Sequence, residues 1–170
     1  MLFNLTITAY IRNLTHLKSI LSKAKAWQET AGFKEEALCN AHLAIDQFVL
    51  ARQVQMAADH AKKGGAVLCG VEAPKFEDNE KTIQELLERI DKTVAFLKTL
   101  TEDMVKDDLE TQLVPLGWMP GKGLTAKFFV EEYALPNFYF HYTTAYAILR
   151  NFGLPLGKAD YMSLDFKNLA

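Results

Sequence analysis

Apolar residues recur at steps of three and four in four long stretches of the chain. Phe3, Ile7, Ile11, Leu14, Leu17, Leu21 and Ala24 form the first row, which ends at Gly32 and predicts a long amphipathic helix. His16 falls on the opposite, solvated side of that helix. A short helical turn is expected over Lys34 to Ala41. Asp46 is then placed to cap a second long helix reaching about Gly70, with Gly64-Gly65 as a soft point near its end. The linker VEAPKFEDNEK follows, and its Pro74 and Asp78 mark the approach to a third helix. There Ile83, Leu86, Leu87, Ile90, Val94 and Leu97 make the apolar stripe, and Glu85, Glu88, Arg89 and Lys92 read as a solvated face. A polar connector from Thr101 to Glu110 leads into TQLVPLGWMPGKGLT. Its apolar run, Pro120-Gly121 and second glycine predict a small hairpin.

The fourth stretch runs from Thr125, placed as a cap, to Gly153, the residue suited to closing a helix. Pro136 has no amide and predicts a kink or a split within it. Ala134, Phe138, His141, Tyr142, Ala145, Ile148, Leu149 and Phe152 share one arc, while Thr143, Ala147 and Arg150 face away. The tail that follows has little periodicity and is expected to pack over the rest through Tyr161, Leu164 and Phe166. Four amphipathic helices predict an all-α fold: a four-helix bundle in one domain spanning 1–170, with a small β-hairpin between helices 3 and 4.

Two polar groups interrupt the apolar faces. On the second helix Gln53 and His60 lie between Leu50, Val54, Ala57 and Ala61 on one side and Val49 and Met56 on the other, and Asp46 joins them if the helix starts early. Arg52, Gln55, Asp59 and Lys62 take the outward sector. On the last helix Asn137 and His141 stand at i and i+4, so they stack on one face and could hold one ligand between them. Buried polar groups need partners, and two readings stand for these rows. They are either hydrogen-bonded core residues or the lining of a ligand or metal pocket. Bundles place their ligands among such inward side chains, and the aromatic cluster Phe138, Tyr139, Phe140, Tyr142 and Tyr146 could line the same pocket.

Composition narrows the classes of function. Acidic and basic residues nearly cancel, to a formal charge of -2, and no basic cluster alternates with aromatics, which speaks against nucleic acid. No apolar run approaches membrane-spanning length. The start of the chain lacks a basic segment followed by an apolar block, so it reads as part of the fold and the expected compartment is the cytoplasm. Cys39 and Cys69 have no CxxC or Cys/His spacing and are expected to be free thiols. The NLT triplets at Asn4 and Asn13 carry no meaning without secretion. Gly121-Lys122-Gly123 lacks the spacing of a phosphate loop.

The segments FVLARQVQMAADHAK (48–62), VEAPKFED (71–78), ALPNFYFHYTTAYAILRNFG (134–153) and LGKADYM (156–162) resemble the DinB/YfiT-like metalloenzymes, in a branch known only as a domain of unknown function. The resemblance covers nearly the whole chain and implies a bundle with a divalent metal, zinc or nickel, held by three histidines. One histidine belongs to the second helix and two to the last, in a pattern like H-x-x-x-H followed by Leu-Arg and a glycine. Aligning Leu149-Arg150 and Gly153 with that pattern puts the second histidine on His141 and the first on Asn137, which is not one. The second-helix position falls near Gln53 to Ala57, with His60 one to two turns on.

The resemblance thus implies a degenerate triad in which His141, Asn137 and His60 are the candidate metal ligands. Asp46, Gln53, Asn137 and Tyr142 are candidate ligand-binding residues, and His141 is the one expected to carry catalysis, as ligand or as general base. Similar bundles include thiol-dependent transferases and isomerases in which the metal activates a low-molecular-weight thiol, and the activity the resemblance implies is that of a metal-dependent hydrolase or thiol transferase. The alternative is a small-molecule-binding or stress-associated bundle that has lost the metal. Ile20, Phe140 and Ala147 fall off the main apolar arcs, and a homodimer is expected from them.

Overall fold

Gly32, Gly70 and Gly153 adopt left-handed backbone conformations, with φ of 73°, 63° and 112°, and each closes a long helix. The computed structural model describes residues 1–162 and shows the expected all-α four-helix bundle. Its long members are α1 (Ala9–Ala31), α3 (Leu50–Cys69), α4 (Ile83–Leu97) and α6 (Leu135–Phe152). The short α2 (Glu35–Cys39) follows α1. Strands β1 (Leu113–Pro115) and β2 (Gly123–Thr125) form the expected antiparallel hairpin, with Val114 opposite Leu124. The turn α5 (Ala126–Phe128) begins the last helical stretch, and α7 (Lys158–Tyr161) follows α6.

The cap read at Thr125 is realised, and α4 has a threonine cap of its own. Thr125 Oγ1 accepts from the Phe128 amide at 3.3 Å. Thr82 and Glu85 form a reciprocal capping box on α4, and Glu35 from α2 accepts from the Ile83 amide at 2.8 Å. Asp46 does not cap α3: the helix starts four residues later, after Val49, and Asp46 is exposed in the preceding loop.

Pro136 neither splits the last helix nor stands alone as a kink. Residues Phe129–Ala134 form a π-helical turn just before it. A proline ring clashes with the carbonyl four residues back, here that of Glu132, and the wide turn moves that carbonyl out of α register. The helical path therefore continues from Ala126 to Phe152 with a change of pitch.

Helix α3 is the central member, packed against α6, α4 and the π turn. Gly64 and Gly65 are close-approach points and not a soft spot. A methyl group at Gly64 would lie 3.0 Å from Tyr10 Oη and 3.1 Å from Ala134 Cβ, and one at Gly65 would lie 2.9 Å from methyl groups of Leu97 and Leu100. Ile20, expected on an outer face, is buried in the core at 1% exposure, so of the residues read as a dimer surface only Phe140 is well exposed. Tyr161 does pack on the bundle, stacked on Tyr142, whereas Leu164 and Phe166 lie outside the described residues. Cys39 and Cys69 are free and buried. No helix among the described residues is long and apolar enough to cross a membrane.

Candidate functional site

Gln53 and His60 sit two turns apart on the face of α3 turned toward α6, and both are buried. His141 meets them from α6, at 6% exposure. Its Nδ1 lies 2.7 Å from Gln53 Oε1, while Gln53 Nε2 donates to the Phe48 carbonyl at 3.0 Å. A carbonyl oxygen only accepts, so the amide nitrogen must face Phe48 and the amide oxygen must face the ring. His141 therefore carries its proton on Nδ1 and leaves Nε2 as a bare acceptor.

The His60 ring lies parallel to that of His141, 9° between planes and 5.6 Å between centroids. His60 Nδ1 is sealed and has no hydrogen-bond partner. Burial, reinforced by the neighbouring His141 and Lys63, lowers the His60 pKa from 6.5 to about 4. Burial, with Arg52 as the second cause, lowers His141 to about 4 as well. Both rings are neutral at pH 7.

Aromatic side chains extend this pair into a continuous row. Phe48 stacks on His141 at 6.5 Å and Phe140 meets it edge-on at 5.1 Å. Tyr133 packs on His60 at 5.3 Å, and Trp118, from the hairpin loop, stacks on Tyr133 at 5.0 Å. Phe48, Phe140 and Trp118 are 50%, 55% and 58% exposed. The neutral imidazoles thus form the floor of an apolar rim contributed by the loop before α3, the hairpin, the π turn and α6.

The other residues singled out in the sequence are placed differently. Asn137 does not pair with His141; its Nδ2 donates to the Tyr133 carbonyl at 2.7 Å, back along its own helix. Tyr142 is buried, but its hydroxyl donates to the Tyr161 carbonyl at 2.6 Å and its ring stacks on Tyr161 at 4.4 Å. It anchors α7 to the bundle. Asp46 stays in its exposed loop.

A divalent-metal site needs three or more donors whose lone pairs converge. Among the described residues no three His, Cys, Asp or Glu side chains do so. Asn137, and Gln53 within the stretch 53–57 where the resemblance sets the second-helix ligand, offer amides that are poor ligands for zinc or nickel and are already hydrogen-bonded. The donor set present does not fit such an ion.

A second constellation was not visible in the sequence. Arg89, read as solvated, is 1% exposed and is gripped by four acceptors: the Glu77 carbonyl at 3.0 Å, Glu80 at 2.8 Å, Asp59 at 3.0 Å and Asp78 at 2.8 Å. Lys62, also read as outward, is 3% exposed, 2.9 Å from Asp59 and 4.2 Å above the Phe76 ring. Gln55 is buried too and donates to Glu80 at 2.8 Å. Arg52 bonds Asp78, and its guanidinium lies 5.7 Å from the Phe48 ring, which links this network to the aromatic rim. The one signal was the acidic content of EAPKFEDNE, which supplies two of the four groups on Arg89 as carboxylates and a third as the Glu77 main-chain carbonyl.

Comparison with known proteins fits this arrangement to a family. The model described as Domain of unknown function (DUF1993) matches residues 2–162. The crystal structure of a DinB family member protein from Shewanella denitrificans, at 1.83 Å resolution, is 40% identical, with a TM-score of 0.92 over 99% of this chain and 96% of that one. No curated protein matches.

Proposed function

The chain belongs to the DUF1993 family and has a DinB-like bundle, and from that premise we propose that it is a small-molecule-binding protein that works without a metal. The observation that supports this most is the bond from His141 Nδ1 to Gln53. The resemblance sets a further metal ligand near Gln53 to Ala57; here Gln53 supplies a hydrogen-bond acceptor that orients a neutral imidazole. Asn137, the other substituted position, is directed to its own helix. What these substitutions leave is a polar floor of two uncharged rings beneath half-exposed aromatic faces. Such a surface offers apolar area together with a few fixed polar groups, the mixture that small-molecule sites use.

The reading leaves His141 Nε2 free to act as a base on a bound molecule. It makes ligand recognition the primary task and gives the imidazoles their part in it without a Lewis acid. The test uses untagged protein purified without chelator, analysed for metals and titrated with nickel and zinc beside His141→Ala. The expected result is no stoichiometric metal and no saturable binding that depends on His141, with His60 and His141 ring signals that respond to members of a small fragment set. Near-stoichiometric metal lost in His141→Ala would overturn the proposal. So would a metal-free protein whose imidazoles respond to no fragment of any class.

A further inference from the structure

The turn before α3 exposes a residue type that turns disfavour. The Gln47 amide donates to the Ala44 carbonyl at 3.0 Å, which puts Ile45 and Asp46 at the two central positions, and Ile45 is 96% exposed. Phe48 follows it, and stacked rings lead from there across the bundle: Phe48 on His141, His141 on His60, His60 on Tyr133 and Tyr133 on Trp118. Phe140 projects beside His141, and Met119 is exposed next to Trp118. Ile45, Phe48, Phe140, Trp118 and Met119 together expose on the order of 600 Å² of apolar side chain, close to the roughly 800 Å² that each partner of a standard interface buries.

The two ends of the row are complementary. At the Phe48 end the turn presents a protruding isoleucine beside a carboxylate, Asp46. At the Trp118 end the hairpin holds a hollow of about 610 Å³ walled by Leu113, Pro115, Leu116 and Pro120, with Lys122 also on its lining. Asp46 and Lys122 are both exposed, and neither has an ion pair among the described residues. A second copy turned end for end along the row brings each turn to the other copy's hairpin, so a single two-fold axis makes both contacts. A lipid surface is the poorer match, because the most protruding apolar residue carries an acid beside it where anionic headgroups favour bases.

We infer that this face is covered by a second copy of the chain, in an isologous dimer. The Ile45-Asp46 turn of each copy enters the hairpin hollow of the other, Asp46 meets Lys122 of the partner subunit, and Phe48, Phe140 and Trp118 are buried between them. The inference stands apart from the binding reading: the dimer forms without a ligand, and a molecule held at the imidazole floor lies between the two copies.

Sedimentation velocity of the untagged chain from about 1 to about 100 μM spans the weak end of the affinities that interfaces of standard size show. At the upper end the expected species has twice the 19.2 kDa of one chain. Asp46→Lys and Lys122→Asp change exposed loop residues, and circular dichroism is expected to show both folded. Each should weaken the dimer by about tenfold or more, because like charges then face one another twice across the axis. An equimolar mixture of the two variants is expected to dimerise again, since only the mixed dimer sets opposite charges together on both sides. An effect confined to one chain cannot be repaired by mixing. A wild type that keeps the mass of one chain at the highest concentration would overturn the inference, and its pelleting with phosphatidylcholine vesicles would assign the face to lipid instead. A dimer that neither variant weakens, or that mixing fails to restore, would overturn it too.

Discussion

Both ends of the Gln53 amide are engaged, and the chemistry of the site depends on which end faces which neighbour. With its nitrogen on the Phe48 carbonyl, its oxygen is left to accept from His141. Replacing Gln53 by Leu removes that acceptor and leaves the Nδ1 proton of a buried ring unpaired, at a cost of roughly 1 to 3 kcal/mol in chemical denaturation. Loss of less than about 0.5 kcal/mol would mean that the bond does little. The two imidazoles also set a pH dependence. Burial lowers both pKa values from 6.5 to about 4, so between these values the unfolded chain binds protons that the folded chain refuses. The stabilisation is fully present above pH 6.5 and is lost as the pH falls toward 4. On the order of a few kcal/mol is expected to disappear over that window. Asp78, whose pKa is lowered from 3.8 in its ion pairs with Arg52 and Arg89, contributes its loss below that value and not in the same range. Thermal melts of wild type against His60→Phe at pH 7, 6, 5 and 4.5 separate the two: the wild-type slope should be the steeper, and parallel curves would contradict the assignment.

At the scale of elements, α3 explains why some positions mislead. Its outward sector by helical period is Arg52, Gln55, Asp59 and Lys62, but the segment 71–81 crosses that sector on its way to α4 and buries Gln55 and Lys62. Arg89 holds the segment down through Glu77, Asp78 and Glu80. Arg89→Met leaves Glu80 without its cation and takes from Asp59 and Asp78 one of the two cations each has, the others being Lys62 and Arg52, and a loss of about 3 kcal/mol is expected from urea unfolding. Arg89→Lys should recover little, because a single ammonium cannot reach acceptors arranged for a planar fork. Full recovery by Lys would show that charge alone matters there. Gly64 illustrates the opposite error, a residue read as weakness that permits contact. Gly64→Ala gains up to about 1 kcal/mol of helix propensity but drives a methyl group against Ala134 Cβ, for an overpacking cost of roughly 1 to 3 kcal/mol. A lowered melting temperature is expected, and a raised one would mean that α3 and the π turn can separate without cost.

For the molecule as a whole, periodicity was enough for the four helices, their closing glycines and the hairpin, because each reports a local preference that packing reinforces. It also brought Gln53, His60 and His141 to one place, since polar residues on apolar faces need partners there. What period could not convey was non-local cover. The linker buries Arg89 and Lys62, the π turn re-aims Asn137, and Tyr161 takes the Tyr142 hydroxyl, none of which leaves a repeat in the sequence. The central claim concerns a metal-free pair of neutral imidazoles with the His141 proton assigned, and nitrogen-15 NMR of the histidine rings reads it directly. At pH 7 the account requires both rings neutral and His141 protonated on Nδ1 alone, with both rings still neutral at pH 5. A charged ring at pH 7, the opposite His141 tautomer, or ring signals that change when a chelator removes bound metal would contradict it.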